Sequence, residues 1–172
     1  MCGVLLLIFA LIFSSSALVP DVCAPKLDLG CPKPNATQKS EIRWHFDPEL
    51  EQCFAFKYTG CGGNSNNFNT QTLCEALCLA VDRQTCPANT KPSSTCEAEK
   101  DCAPSEYCKN RIMGSSICCS KEVRTKFEHN FEICPQGKQL VGQDFLGKSC
   151  KSNFCPENST CHDGAYFAVC CK

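Results

Sequence analysis

Apolar and polar positions alternate in two neighbouring stretches of the chain. From Glu41 to Asp47 (EIRWHFD), Ile42, Trp44 and Phe46 fall on one face, with Arg43 and His45 on the other. From Gln52 to Tyr58 (QCFAFKY), Phe54, Phe56 and Tyr58 share a face. A period of two with aromatic content predicts strands. Pro48 breaks the first run, so Pro48 to Glu51 reads as a turn and the pair as a β-hairpin. Gly60 to Asn67 is rich in Gly, Asn and Ser and predicts a loop. Thr70 is placed to cap a short helix over Gln71 to Leu79, in which Cys74 and Cys78 lie one turn apart on the same side.

Two other stretches depart from alternation. Val4 to Phe13 (VLLLIFALIF) is continuously apolar, and small residues follow from Ser14 to Ala17. Ten residues rise only about 15 Å as a helix, against a hydrocarbon core of ~30 Å. The expectation is a secretory signal peptide over residues 1–17, cut after Ala17, although no Lys or Arg precedes the run. No later stretch is apolar enough to span a membrane. Ser120 to Ile133 is charged and lacks cysteine, and residues 120–133 read as a spacer.

Cysteine changes the picture most. The chain has 19, and all except Cys2 fall into three sets of six. That density belongs to an oxidising, extracellular setting, where disulfides compensate for domains too small to bury much apolar surface. The expectation is that covalent links, more than an apolar interior, hold each module. Zinc is not expected, because no Cys-x-x-Cys spacing occurs and His45, His129 and His162 are scattered. The net charge of −1, with both signs mixed, leaves no footprint for nucleic acid or anionic lipid.

The first set is Cys23, Cys31, Cys53, Cys61, Cys74 and Cys78. Around it stand Phe56, Thr59, Gly60, Cys61, Phe68 and Cys74 in order, with Asn66 and Asn67 before Phe68 and Arg43 ten residues before Cys53. This constellation resembles the Kunitz domain, the family of pancreatic trypsin inhibitor. The resemblance implies a twisted β-hairpin with a C-terminal helix, pairing Cys23–Cys78, Cys31–Cys61 and Cys53–Cys74. It assigns structural roles to Phe56, Gly60, Asn66 and Phe68, with a buried Asn amide tying loop to hairpin. It also implies membership of a serine protease inhibitor class, in which the residue after the second cysteine enters the protease S1 pocket and a rigid loop limits the ordering cost of docking.

The reactive loop departs from that pattern. Pro32 follows Cys31, and Pro34 follows Lys33, so the candidate reactive bond joins Pro32 and Lys33 between two prolines. Proline has a fixed φ and a short ring. Eleven residues separate Cys31 from Arg43, more than the family usually has, and a longer polar loop costs more to order. Asn35-Ala36-Thr37 is a glycosylation sequon within the loop, and Asn158-Ser159-Thr160 is a second.

The other two sets repeat one another. Cys86, Cys96, Cys102, Cys108, Cys118 and Cys119 have intervals of 9, 5, 5, 9 and 0; Cys134, Cys150, Cys155, Cys161, Cys170 and Cys171 have 15, 4, 5, 8 and 0. Adjacent Cα atoms lie ~3.8 Å apart, closer than the ~4.4–6.8 Å of a relaxed disulfide. Each neighbouring pair must therefore bond to different partners, which leaves most connectivities open. These segments resemble lustrin-type cysteine-rich repeats and are expected to be loop-rich with little regular structure. Tyr107, Phe154, Tyr166 and Phe167 are expected to fill small cores between disulfides or, alternatively, to form a contact surface.

The expected fold class is thus small and disulfide-rich: an α+β Kunitz-like domain over residues 18–79 and two loop-rich six-cysteine modules over 86–119 and 134–172. No nucleophile-elbow, zincin or phosphate-loop spacing occurs, so neither an enzyme, a catalytic residue, a cofactor nor a metal is expected. The functional expectation is a secreted member of the Kunitz serine protease inhibitor family, with a serine protease as partner. The alternative is a non-inhibitory extracellular binding or matrix protein that uses its modules as interaction scaffolds for other extracellular proteins.

Overall fold

A computed structural model describes residues 20–32, 37–80 and 82–172. The signal peptide expected over residues 1–17, and Lys33 and Asn35 of the expected reactive loop, lie outside the described residues.

Alternation and the turn at Pro48 produce the hairpin directly. Strand β1 (Glu41–Asp47) pairs antiparallel with β2 (Gln52–Tyr58), Arg43 opposite Phe56 and His45 opposite Phe54. The Asp47 carboxylate accepts from Leu50 N at 2.9 Å and closes the turn. Phe68 adds a bridge to the other edge of β1, its N–H donating to Trp44 O at 2.8 Å and its carbonyl accepting from Trp44 N at 2.9 Å. Helix α1 (Gln71–Cys78) starts where Thr70 Oγ1 accepts from Leu73 N at 3.2 Å. It stops at Cys78 because Leu79 turns to extended backbone. Cys74 and Cys78 face inward, and Leu73 and Leu77 outward. Disulfides join Cys23 to Cys78, Cys31 to Cys61 and Cys53 to Cys74. In the chain-entropy picture the first, across 55 residues, is worth about 4 kcal/mol.

The two repeats share one topology. In the first, β3 (Thr95–Cys96), β4 (Glu106–Lys109) and β5 (Ser116–Ser120) form an antiparallel sheet ordered β3-β5-β4. In the last, β6 (Leu146–Gly147), β7 (Thr160–Asp163) and β8 (Ala168–Cys171) are ordered β6-β8-β7. Both connect first to sixth, second to fourth and third to fifth cysteine: Cys86–Cys119, Cys96–Cys108 and Cys102–Cys118; then Cys134–Cys171, Cys150–Cys161 and Cys155–Cys170. Loops make up most of each repeat, yet a short sheet runs through its centre, which the expectation of little regular structure missed. The regularity follows from the neighbouring cysteines. Successive residues of a strand point to opposite faces, so Cys118 and Cys119 each reach a different side of β5.

Residues 120–133, read from sequence as a spacer, instead carry helix α2 (Lys121–His129). Ser120 Oγ caps it by accepting from Val123 N at 3.3 Å. Its charges are spaced one turn apart: Lys126 with Glu122 at 2.6 Å and Arg124 with Glu128 at 2.7 Å. Phe127, with Phe131 just beyond the helix, turns toward the core.

The central correction concerns that core. Each module keeps its own three disulfides, but the modules also share an apolar core, because the last repeat packs along β2. Phe54 lies in one apolar cluster with Leu146, Phe167, Val169 and Cys171, against which Phe127 and Phe131 pack. Ala55 lies in a second with Phe154, Ala168 and Cys170. Four consecutive β2 residues, Cys53 to Phe56, are therefore buried, where a hairpin with one wet face buries alternate positions. Phe154 and Phe167 do fill a core, but one shared with the hairpin. Tyr166 packs beside Phe127, and Tyr107 lies under the Arg124 guanidinium at 4.7 Å. Lys148 completes the join with bonds to Asp47 (3.0 Å) and Glu49 (3.2 Å) on the hairpin turn.

Candidate functional site

The hairpin has two ends, and they are used differently. The turn end is engaged by the repeats: Asn89 Nδ2 donates to Pro48 O at 3.3 Å, Thr85 Oγ1 bonds Glu51 at 3.3 Å, and Lys148 holds Asp47. The open end, where β2 runs into Thr59 and Gly60, meets the segment leading to Cys31.

This open end is braced by short-range chemistry. Cys31 N donates to Cys61 O at 2.9 Å, and Thr59 N donates to Leu29 O at 2.9 Å, flanking the Cys31–Cys61 disulfide. Asp28 Oδ1 accepts from Gly30 N at 2.9 Å. Gly30 has φ +95°, and a Cβ there would collide with Cys61 O and Thr59 Oγ1. Gly60 has φ +88° and passes so close to the Lys39 carbonyl that a side chain would meet it at 2.8 Å. Both glycines are needed because the two strands of the tip approach backbone to backbone. Tyr58 OH donates to Gly62 O at 2.7 Å, and the Arg43 guanidinium lies 5.7 Å from the Tyr58 ring centroid.

Toward the turn end of the hairpin, Asn66 acts as a clamp. It is 1% exposed. Its Oδ1 accepts from Phe46 N at 2.7 Å, while its Nδ2 donates to Phe46 O (2.8 Å), Pro25 O (2.8 Å) and Cys23 O (3.2 Å). One amide thus ties the N-terminal segment to β1, which only a side chain carrying both donor and acceptor achieves. Phe56 and Phe68 are buried as well. His45, 2% exposed, packs 5.7 Å from the Phe56 ring and 6.2 Å from Phe54. Burial pushes its pKa down to about 4, Asp47 opposing the shift and Lys148 adding to it. His45 is therefore neutral at physiological pH and serves as an aromatic filler.

Of the expected reactive bond, Pro32 stands exposed immediately after Cys31, at the outer side of the braced tip; Lys33 lies outside the described residues. Asn158 sits on an exposed turn with φ +66°. Of the other histidines, His129 lies on an exposed stretch with its Nδ1 3.5 Å from the Glu132 carboxylate. Among the described residues no helix is long and apolar enough to cross a membrane. One candidate metal cluster, Cys96, Cys102 and Cys118, consists of sulfurs already committed to disulfides. The inter-module seam on β2 escaped sequence reasoning. Its signal was the unbroken apolar stretch Cys53 to Phe56, which period two alone does not require.

A hairpin, a C-terminal helix, three interlocking disulfides and an open end closed by the second and fourth cysteines define a small cystine-braced protein that presents a loop. The Kunitz/Bovine pancreatic trypsin inhibitor domain model matches residues 22–79. A BPTI/Kunitz inhibitor domain-containing protein of Caenorhabditis elegans is 33% identical over 94% of this chain and 95% of its own length. The major allergen Ani s 1 of Anisakis simplex is 34% identical over 95% of each. Kunitz-type protease inhibitor 3 of Homo sapiens is 43% identical over 36% of this chain and 63% of its own. Among solved structures, Conkunitzin-S1, described as a Kunitz-type neurotoxin, is 33% identical with a TM-score of 0.31, covering 37% of this chain and 97% of its own. The chain belongs to the BPTI/Kunitz family. The family model ends at residue 79, so the two repeats lie outside it, whereas the two nematode relatives extend across them.

Proposed function

We propose that this chain is a secreted, extracellular binding protein of the Kunitz inhibitor class, whose partner is a serine protease met by the tip at Cys31, Pro32 and Cys61. The observation that carries this reading is the division of labour along the hairpin. The repeats take up the turn end and the β2 seam, while the tip is braced by its own hydrogen bonds and disulfide. A tip of that kind loses little freedom on docking. Nine disulfides and an exposed Asn158 sequon are consistent with a secreted glycoprotein. Asn35, within the tip loop, is the second candidate glycosylation site. Pro32 lacks the long side chain that fills a deep S1 pocket, and Lys33 is the cation nearest to it in sequence. Inhibition of a trypsin-like enzyme is accordingly weak and depends on Lys33. A role in catalysis forms no part of this proposal.

A second reading follows from Pro32 itself. A proline on each side of Lys33 stiffens the backbone where a protease requires an extended, accessible bond. The tip would then serve a non-inhibitory contact with another extracellular protein. Titration of trypsin, chymotrypsin and elastase with the glycosylated and deglycosylated chain separates the two. Stoichiometric inhibition of trypsin that disappears in Lys33→Ala supports protease binding. No inhibition of any of the three by either form supports the second reading.

A further inference from the structure

The chain's mixed charge conceals a local asymmetry. Where the end of α1 leads into the first repeat, a cavity of about 360 Å³ opens between Leu79 and the β4–β5 loop. Its walls carry Arg83, Lys109 and Arg111 against a single carboxylate, Asp82. Arg111 spends one end of its guanidinium on Asp82 and another on Ser115 O at 3.3 Å. Its buried Nε has no acceptor among the described residues. Arg83 enters no salt bridge among the described residues, and Lys109 bonds the Thr85 carbonyl at 2.8 Å. Burial lowers the pKa of Lys109, and the fields of Arg83 and Arg111 lower it further, with Asp82 opposing the shift. The three cations are close enough to repel one another, and an arriving anion would relieve that repulsion.

A second, independent feature lies at the rim. Ile112 and Met113, at the apex of the β4–β5 loop, are 84% and 58% exposed. They are the two most exposed large apolar side chains among the described residues, and Ile112 also lines the cavity. A soluble oxyanion has no use for an apolar rim. A bilayer surface offers both complements: phosphate groups for the cations and acyl chains for the apolar apex.

We propose that the β4–β5 loop is a membrane-surface docking tip, in which Arg83, Lys109 and Arg111 take the phosphate of an anionic phospholipid headgroup while Ile112 and Met113 enter the interface. The contact is peripheral and reversible. It lies on the first repeat, not on the Cys31–Cys61 tip, so protease binding and membrane binding are separable.

Flotation of the full chain with vesicles tests this. The chain should float with vesicles of phosphatidylcholine containing phosphatidylserine and not with phosphatidylcholine alone, and salt should weaken the association. Arg83→Gln and Lys109→Gln should each weaken partitioning about fivefold. Ile112→Ser with Met113→Ser should lower it without changing the salt dependence. Ile112 and Met113 are exposed and Arg83 and Lys109 half-buried, so an unchanged disulfide map and unfolding midpoint certify each variant as folded. Absence of binding to anionic vesicles overturns the proposal, as does binding that ignores all four substitutions. Inorganic phosphate or a sulfated polysaccharide that binds through Arg83 and Lys109, with vesicles left untouched, would assign the cavity to a soluble oxyanion and overturn the lipid assignment.

Discussion

The Phe54 ring on β2 meets the Phe167 ring at the entry to β8, 6.4 Å between centroids and tilted by 37°. The pair joins the first module to the last. Phe167 also contacts Phe127 at 5.4 Å and Phe131 at 5.0 Å, so α2 closes the same cluster. A chain expected to rely on separate cystine frames thereby has a continuous apolar seam.

Phe167→Ala should cost about 3–5 kcal/mol, as removal of a buried aromatic usually does. Denaturant unfolding of the oxidised protein measures the loss. In a double-mutant cycle, Phe54→Ala and Phe167→Ala should couple by roughly 0.5–1.5 kcal/mol, since each ring packs on the other. Independent costs would mean that the modules merely touch.

Asn130 is a second hinge of this seam. It is 1% exposed; its Nδ2 donates to Phe167 O at 2.7 Å and its Oδ1 accepts from Tyr166 N at 2.8 Å. Asn130→Ala strands both backbone groups and should cost about 1–3 kcal/mol for each one left buried. A Cβ on Gly164 would overlap the Asn130 amide, and one on Gly147 would overlap the Phe154 ring. Gly147→Ala should therefore destabilise by about 1–3 kcal/mol through overpacking, visible in the same unfolding experiment.

His45 predicts a pH dependence. In the unfolded chain it takes a proton near the ordinary pKa of 6.5, and in the fold only near 4, because burial disfavours the charged ring. Between those values the unfolded state holds more protons. Stability is complete above about pH 6.5 and falls as the pH drops toward 4, by about 3 kcal/mol in all. His45→Phe should flatten the unfolding free energy across that window. An unchanged slope in the variant would locate the acid sensitivity elsewhere.

Much of the hairpin was legible because alternation, Pro48 and Thr70 act locally. The start of α1 was set by Thr70 Oγ1, while its end at Cys78 depended on where Leu79 turns toward the core. Helix α2 was missed because charge density suggested a solvated spacer. Its signals were Ser120 as a cap, Glu122 and Lys126 one turn apart, and the pair Phe127 and Phe131. The burial of Ala55 was not legible at all, since it depends on Phe154 and Ala168 arriving from a distant part of the chain. Among the candidate site residues, Asn66 and Gly60 are legible through the motif that carries them, although their partners, Cys23, Pro25 and Phe46 for the one and Lys39 for the other, lie twenty or more residues away. What meets Pro32 from outside is not written in local pattern.

The central functional claim is that a sound Kunitz frame presents an altered tip. Its most direct test is a repaired chain: Pro32→Arg combined with deletion of six residues between 34 and 42. With the frame intact, this variant should bind trypsin stoichiometrically and far more tightly than the parent chain. A repaired chain that keeps its disulfide map and its unfolding midpoint, yet leaves trypsin activity untouched, would contradict the claim.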